Sequence, residues 1–405
     1  MKALLVVPIV ISFATFARPL RAQDTTTTAA DTGYVEYHES PISLPLGIGL
    51  RIPSYDRVNG LSLPWGPQLA TSDESLELNA LVTYRSNLGQ WDPSLEGYFR
   101  PGTANELKLF VGRRTFTNDA WIRSDLVNSL AALFVGSDAR NYYRSNLATL
   151  RFTRTLAFSS LVLTPFLAGS FEDDWSTGSI APTKYPWSFF GRNGRLRMRR
   201  LNPPVANGHI NSILGGTGIQ ISRGGLEAKL DATLEHALST SFRDCTFIPA
   251  DGSCFVSPSY FNQTTVDSRV TFPTFGSQTF AFLGHALLAS GGKIPPPQRF
   301  GYLGGSGTLA TVDLLALGGD RLLYVQGDYM IPIEKIQLPL VGSPFLALRY
   351  GAGNAGVGRL PALIQNVGVG AGISIIRVDY SIDPAQNRSP LSRRSAWTVG
   401  VSLSL

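Results

Sequence analysis

Apolar and polar residues alternate one by one in several segments of this chain. In Leu226–Glu235, the residues Leu226, Ala228, Leu230, Ala232 and Leu234 interleave with Glu227, Lys229, Asp231, Thr233 and Glu235. Gly368, Gly370, Gly372 and Ser374 alternate with Val367, Val369, Ala371 and Ile373. Arg377, Asp379, Ser381 and Asp383 do the same with Ile376, Val378, Tyr380 and Ile382. The last segment sets Thr398, Gly400, Ser402 and Ser404 against Trp397, Val399, Val401, Leu403 and Leu405. A period of two puts one set on each face of a strand. Turning a Lys toward hydrocarbon near a bilayer midplane costs about 2–4 kcal/mol. The charged set is therefore expected to face a watery lumen and the aliphatic set to face lipid. A soluble sandwich also alternates, but small inner residues beside aliphatic outer ones favour a transmembrane barrel. Among strand arrangements, only a closed barrel satisfies every backbone group inside a bilayer.

Counted backward, the pattern predicts strands near 395–405, 376–384, 364–375, 344–354, 321–333, 278–290, 264–274 and 225–239. Upstream it predicts 210–222, 158–170, 146–156, 105–115, 92–100, 75–85, 60–70 and 44–53. Pro53, Pro64 and Pro67 interrupt the first two. Short turns at Arg223-Gly224, Pro101–Ala104 and Ala157 alternate with long loops at 116–145, 171–209, 240–263 and 291–320. Sixteen strands with that alternation match the even strand number of bacterial barrels, with short turns on one side. Ser124–Val135 has helical spacing, with Leu126, Leu130 and Leu133 on one face, and is expected as a short helix in the third outer loop. The expected fold is thus all-β: a sixteen-stranded antiparallel transmembrane β-barrel over 44–405, with long outer loops and a short loop helix.

Composition agrees. The chain has 41 Gly and 10% aromatic residues, and its 16% charged residues fall below the roughly 25% usual in soluble domains. A mean hydropathy of +0.06 suits one face in lipid and one in water. At the N-terminus, Met1-Lys2 precedes an apolar run from Ala3 to Phe16 and then Ala17–Gln23. That is the layout of a secretory signal peptide, with cleavage expected near Ala22. Residues 1–22 are read as the signal and 23–43 as a short periplasmic segment, with no Cys following the apolar run to carry a lipid anchor. No later run approaches the roughly 18 apolar residues of a spanning helix. The expected location is the outer membrane. A net charge of +6 is too small and too scattered to argue for nucleic acid.

Arg299-Phe300-Gly301-Tyr302-Leu303-Gly304-Gly305-Ser306-Gly307-Thr308-Leu309, then Gly318-Gly319-Asp320-Arg321 and Tyr329-Met330-Ile331-Pro332, form a spaced set. This set resembles the C-terminal surface-antigen (D15-like) barrel of the Omp85 superfamily. In that family a Gly-Gly loop carries a Leu/Val-Arg-Gly-Tyr/Phe tetrad, followed by Gly-Asp and a strand ending Tyr-x-x-Pro. The resemblance implies sixteen strands, with this loop between the eleventh and twelfth, where the count places 291–320. Tyr55-Asp56-Arg57-Val58-Asn59-Gly60-Leu61 is similar to the first barrel segment of related proteins. Asn128–Leu133 with Asp138 and Tyr142-Tyr143 is similar to them too. The likeness spans about 50–405. Two departures stand out. Ala310-Thr311-Val312 occupy the tetrad's Arg-Gly-Tyr positions, so the family arginine that reaches the barrel wall has no counterpart at Ala310. The 23–43 segment is also too short for a periplasmic POTRA domain, which the protein-inserting and secreting members use.

Several residues carry candidate chemistry. Cys245 and Cys254, the only cysteines, lie in one loop of an exported chain and are expected to form a disulfide. The four histidines, His38, His209, His236 and His285, are scattered without metal-ligand spacing, so no metal or cofactor is expected. A rim-active lipid hydrolase using His236 or His285 lacks an identifiable nucleophile, so no enzymatic activity is expected. Gly215–Gly218 and Gly304–Gly307 lack the following Lys-Ser/Thr of a phosphate loop. Glu227, Lys229, Asp231, Glu235, Asp328, Arg349, Arg377 and Asp379 are expected to line the lumen. Arg299, Phe300, Gly304 and Gly305 are expected on a loop that enters it. Arg192, Arg195, Arg197, Arg199 and Arg200, beside Trp187, Phe189 and Phe190, form a basic loop. That loop either binds anions such as lipopolysaccharide phosphates or is a solvated or plugging segment paired with lumenal acids. The expected role is structural or transport-related, with a solute pore as one form. Membrane lipids, including lipopolysaccharide, are the expected partners. The alternatives are an accessory part in outer-membrane protein or lipid assembly and export, acting with envelope proteins, and the hydrolase.

Overall fold

The computed structural model describes residues 42–177, 187–191, 198–243, 246–247, 254–255, 259–337, 342–373, 376–385 and 391–401. Most of them belong to one antiparallel sheet of nineteen strand segments. These segments make sixteen passes among the described residues, because the first, second and sixth are each broken in two. Pass β1 is Ile42–Ser43 with Ser54–Asp56, and β2 is Gly60–Trp65 with Gln68–Ala70. Then follow β3 Leu76–Arg85, β4 Gln90–Phe99, β5 Asn105–Phe116, β6 Tyr143–Arg154 and β7 Leu161–Ser176. Next come β8 Gly208–Arg223, β9 Leu226–Phe242, β10 Phe261–Pro273, β11 Thr279–Ser290 and β12 Arg321–Pro332. The last four are β13 Pro344–Gly356, β14 Ile364–Ile373, β15 Ile376–Ile382 and β16 Ser395–Val401. Leu156–Ala157 prolongs β6 along β7. Each pass pairs with the next in sequence, and among the described residues no pairing joins β1 to β16.

Most of the predicted strands are present, with two instructive differences. The first was expected over 44–53, but Pro45–Gly47 forms a 3-10 turn, leaving Ile42–Ser43, a single bridge from Leu50 to Trp65, and Ser54–Asp56. Pro45 and Pro53 carry no N–H, so a regular ladder cannot run through them. Conversely, β7 runs on to Ser176, through residues expected in a loop, because Phe171–Asp174 keep pairing with Asn211–Gly208. The helix expected over Ser124–Val135 is found as α1, Asp125–Leu130, extended by a wider turn over Ala131–Val135. The Ser124 side chain caps it by accepting the Val127 N–H at 3.4 Å. Among the described residues no helix is long and apolar enough to cross a membrane, which says nothing of strands.

The two faces of the sheet differ sharply. Leu107, Leu109 and Val111 on β5, Leu150 and Phe152 on β6, and Leu167 and Phe171 on β7 are solvent-exposed. So are Leu346, Leu348 and Tyr350 on β13, Val367 and Val369 on β14, and Trp397 and Val399 on β16. The opposite face carries Glu235, Gln263, His285, Asp328, Arg377 and Asp379, all buried. Described residues of the β5–β6, β7–β8 and β11–β12 connections, all at one end of the passes, fold onto this polar face. Tyr324, Leu287, Leu322, Ala355 and Ile364 on that face form a core with Leu303, Leu309 and Val312 from the β11–β12 loop. That loop touches strands from β7 to β14, as detailed below, so the sheet curls around it.

Candidate functional site

The β11–β12 loop enters the curl as a 3-10 turn, Pro297–Arg299, followed by a small hairpin that pairs Gly301–Leu303 with Leu317–Gly319. Gly304, at φ 123°, packs so tightly that a Cβ there would lie 2.1 Å from the Asp313 carbonyl oxygen. Only glycine suits that turn. Gly305 donates its N–H to the carbonyls of Leu309 and Val312. This compact fold presents Arg299 to the inner face of the sheet. Its Nε donates to Glu235 Oε2 at 2.8 Å, and its Nη2 donates to Glu235 Oε1 and Glu172 Oε1, both at 2.9 Å. Glu172 is on β7 and Glu235 on β9. Ser212 Oγ on β8 also donates to Glu235 Oε1, at 2.6 Å. Burial alone would make Arg299 easier to deprotonate, but Glu172 and Glu235 more than offset that and hold it charged.

Contact between this loop and the inner face of the sheet is thus made by Arg299, from the start of the loop. The tetrad segment is fixed another way. Thr311 N–H donates to Asn366 Oδ1 at 3.1 Å, and Asn366 Nδ2 donates to Thr311 Oγ1 at 2.7 Å. Leu309 and Val312 fill the apolar core around Tyr324. Both Arg299 and Phe300 are buried.

Neighbouring loops lock onto this one. From the β5–β6 loop, Asn118 Nδ2 donates to the carbonyls of Gln298 and Phe300. Trp121 stacks on His285 of β11, with ring centroids 4.1 Å apart. Arg123 Nη2 donates to Ser306 O and Oγ, each at 3.0 Å. From the β7–β8 loop, the Ala206 N–H donates to Gln298 Oε1 at 3.1 Å. From the β15–β16 loop, the Arg393 N–H donates to Thr311 O at 2.7 Å, and its side chain pairs with Asp313 at 3.0 Å. Arg57, in the β1–β2 turn, donates to the carbonyls of Arg140 and Arg200 and to the Asn202 side chain. Its own N–H donates to Asp138 Oδ2 at 3.0 Å. The motif residues around Tyr55 and Asn128 thus meet in one cap: Tyr55 N–H donates to Ser129 Oγ at 2.7 Å, and Asn128 Nδ2 to Asp138 Oδ1 at 3.0 Å.

Asp119, in the β5–β6 loop, is fully buried. Its Oδ2 accepts the Asn141 N–H at 2.7 Å, while its Oδ1 has no hydrogen-bond partner among the described residues. Burial pushes its carboxyl up to about 7, against the pull of that N–H and of Arg200, Arg140 and Arg57. Burial, and then repulsion from Arg57, lower Arg200 to about 10.

Below the cap, the inner face opens toward the short turns. On β9, Ala237 and Glu235 are buried, whereas the side chains of Asp231 and Lys229 are 46% and 63% exposed and pair at 3.0 Å. Glu227 is exposed as well. Asp328, Arg349, Arg377 and Asp379 form one network: Arg349 and Arg377 both donate to Asp328 Oδ1, at 2.8 and 3.0 Å, and Arg377 Nε donates to Asp379 Oδ1 at 2.6 Å. It bridges β12, β13 and β15 across β14, which presents glycine there. A Cβ on Gly370 would lie 2.1 Å from Asp379 Oδ1, which explains the Gly alternation in that segment.

The other sequence candidates fall as follows. Arg192, Arg195, Arg197, Cys245 and the Cys254 side chain lie outside the described residues. Arg199 is exposed, whereas Arg200 turns into the cap, where its Nη2 donates to Arg140 O at 2.8 Å. His236 Nδ1 shares a hydrogen with Asn262 Oδ1 at 2.6 Å, and His285 Nδ1 with Asp267 Oδ1 at 2.7 Å. Among the described residues neither imidazole bonds a hydroxyl, and no group of His, Cys, Asp or Glu is arranged to hold a metal ion. Sequence reasoning missed Glu172, although Ser170, Glu172 and Asp174 continue the polar parity of β7. It also missed Asp119, for which the sequence carries no signal.

No family model matches this chain, and no curated protein does. Solved structures do. CdiB from Escherichia coli matches with 10% identity and a TM-score of 0.45, over 90% of this chain and 63% of that one. BamA from Haemophilus ducreyi lacking POTRA domains 1-3 matches with 12% identity and a TM-score of 0.49, over 86% and 69%. CdiB from Acinetobacter baumannii matches with 13% identity and a TM-score of 0.44, over 86% and 57%. The chain thus spans 63% and 57% of the two CdiB chains.

Proposed function

We propose that this chain is an exported outer-membrane β-barrel of the Omp85 superfamily's surface-antigen type, whose transport lumen is closed at the loop end by a cap anchored on Arg299. The carrying observation is the apolar outer face, exposed on passes from β2 to β16. A soluble monomer rarely shows a contiguous apolar surface beyond a few hundred Å². In a bilayer the same face is solvated by lipid, and the charged face lines the lumen. The surface-antigen motifs and the signal-like N-terminus support the same reading. Lumenal Glu227, Lys229 and Asp231 then face water at the turn end, while Arg299, Glu172 and Glu235 hold the cap at the other. Solutes pass only when the cap shifts, so the protein is a gated conduit rather than a standing pore.

The test is bilayer conductance of folded, heat-modifiable protein. Wild type should pass little current, and Arg299→Ala should pass markedly more. A large steady current through wild type would refute the closed cap, and failure to insert into bilayers at all would refute the barrel.

A further inference from the structure

Like charges directly opposite one another on adjacent strands destabilise a sheet, yet Lys108 of β5 stands opposite Arg151 of β6. The register runs on from Arg151 to Ala168, Leu214 and Glu235, so both cations lie on the polar inner face. Each sits over an aromatic ring. Lys108 Nζ is 4.8 Å from the centre of Tyr98, and the Arg151 guanidinium carbon is 3.7 Å from that of Phe166. The rings fix the cations in place without neutralising them. Arg151 Nε donates to Thr153 Oγ1 at 3.3 Å. Among the described residues neither cation forms an ion pair. Both are half-buried, and no terminal nitrogen of either is sealed from water. The next acid on that face of β5, Glu106, accepts instead from Arg100 Nε at 3.0 Å. A second like-charge pair on the inner face, Lys229 opposite Arg269, is relieved, because Lys229 pairs with Asp231 at 3.0 Å.

We infer that Lys108 and Arg151 form a binding site for the oxyanion group, phosphate or carboxylate, of a small solute. The inference rests on the conduit reading above, which makes the inner face a lumen wall. The two Nη donors of one guanidinium match two oxygens of such a group, and the Lys108 ammonium adds a point charge beside them. A single-atom anion such as chloride meets the charge but not the fork. The bound anion relieves the repulsion between the two cations, which no carboxylate of the described wall does.

The test titrates full-length, heat-modifiable protein in uncharged detergent, at low ionic strength, with phenyl phosphate, benzoate and chloride, and reads affinity by calorimetry. Wild type should bind phenyl phosphate or benzoate about tenfold more tightly than Lys108→Gln or Arg151→Gln does, and the tighter probe names the group. Lys229→Gln should bind like wild type. Lys108→Glu should lose binding and raise the thermal midpoint, because it turns the like-charge pair into an ion pair. Binding of neither probe by folded wild type overturns the site alone. So does chloride bound as tightly as either probe, or a loss in Lys229→Gln equal to that in Lys108→Gln, since both signify a diffuse positive field. Protein that never reaches the heat-modifiable form overturns the barrel reading together with the site.

Discussion

Strand β9 carries two kinds of charge on one face. Near its loop end Glu235 is buried, and its oxygens accept from Arg299 and Ser212. Two turns of the side-chain alternation further down, Asp231 and Lys229 pair in the open. Both pairs are short, yet their energetic meaning differs. The exposed pair contributes only about 0–1 kcal/mol, because water screens it and both side chains lose freedom. The buried cluster is worth little against an apolar replacement, but removing one partner strands the others and costs about 3–5 kcal/mol. In the conduit proposed above, a charge near the turn end would tune what enters, and a charge under the cap would decide whether the cap stays shut.

The largest effect should follow from Arg299→Ala. It leaves Glu172 and Glu235 buried without their cation and should lower the denaturation midpoint of the heat-modifiable form, by up to about 5 kcal/mol of local stability. An unchanged midpoint would mean that the two carboxylates are rehydrated and the cap is held by its apolar core alone.

Next comes pH. A carboxyl raised from about 4 to about 7 holds its proton in the folded cap where the unfolded chain has lost it. The contribution of Asp119 is therefore full below about pH 4 and is lost as pH rises toward 7, by roughly 4 kcal/mol at most. Amide exchange at Asn141, corrected for its intrinsic rate, should quicken over that window. Asp119→Asn should flatten the profile, and a slope unchanged by that substitution would place the titrating group elsewhere.

The smallest effect belongs to Lys229→Glu, which should leave stability within about 0.5 kcal/mol while altering the ion preference of any current. A stability loss like that of Arg299→Ala would erase the distinction between the two ends.

Legibility followed the same division. The strict alternation in Leu226–Glu235 and the segments around Val369 and Asp379 sufficed to place strands, faces and the sixteen passes, because a period of two is a local property of the backbone. The helical spacing of Leu126, Leu130 and Leu133 placed the helix for the same reason. Where proline removed donors, at Pro45 and Pro53, the local pattern overstated the strand. Where the strand count began a long loop at 171, cross-strand pairing of Phe171–Asp174 with Asn211–Gly208 carried the strand on. Arg299 was legible as a loop residue but not as the wall contact, since its partners lie 127 and 64 residues away.

The sequence by itself determined that one face of each strand is apolar and the other is charged or small, and that the connections are long on one side only. Tertiary structure alone decided which charges are buried. Glu235 and Asp231 occupy equivalent positions in the same alternation, and nothing local separates them. Only the folding of the β11–β12 loop onto β7, β9 and β10 removes water from one and leaves it on the other. Desolvation depends on what the rest of the chain brings near a group, and no residue's immediate neighbours in sequence record that.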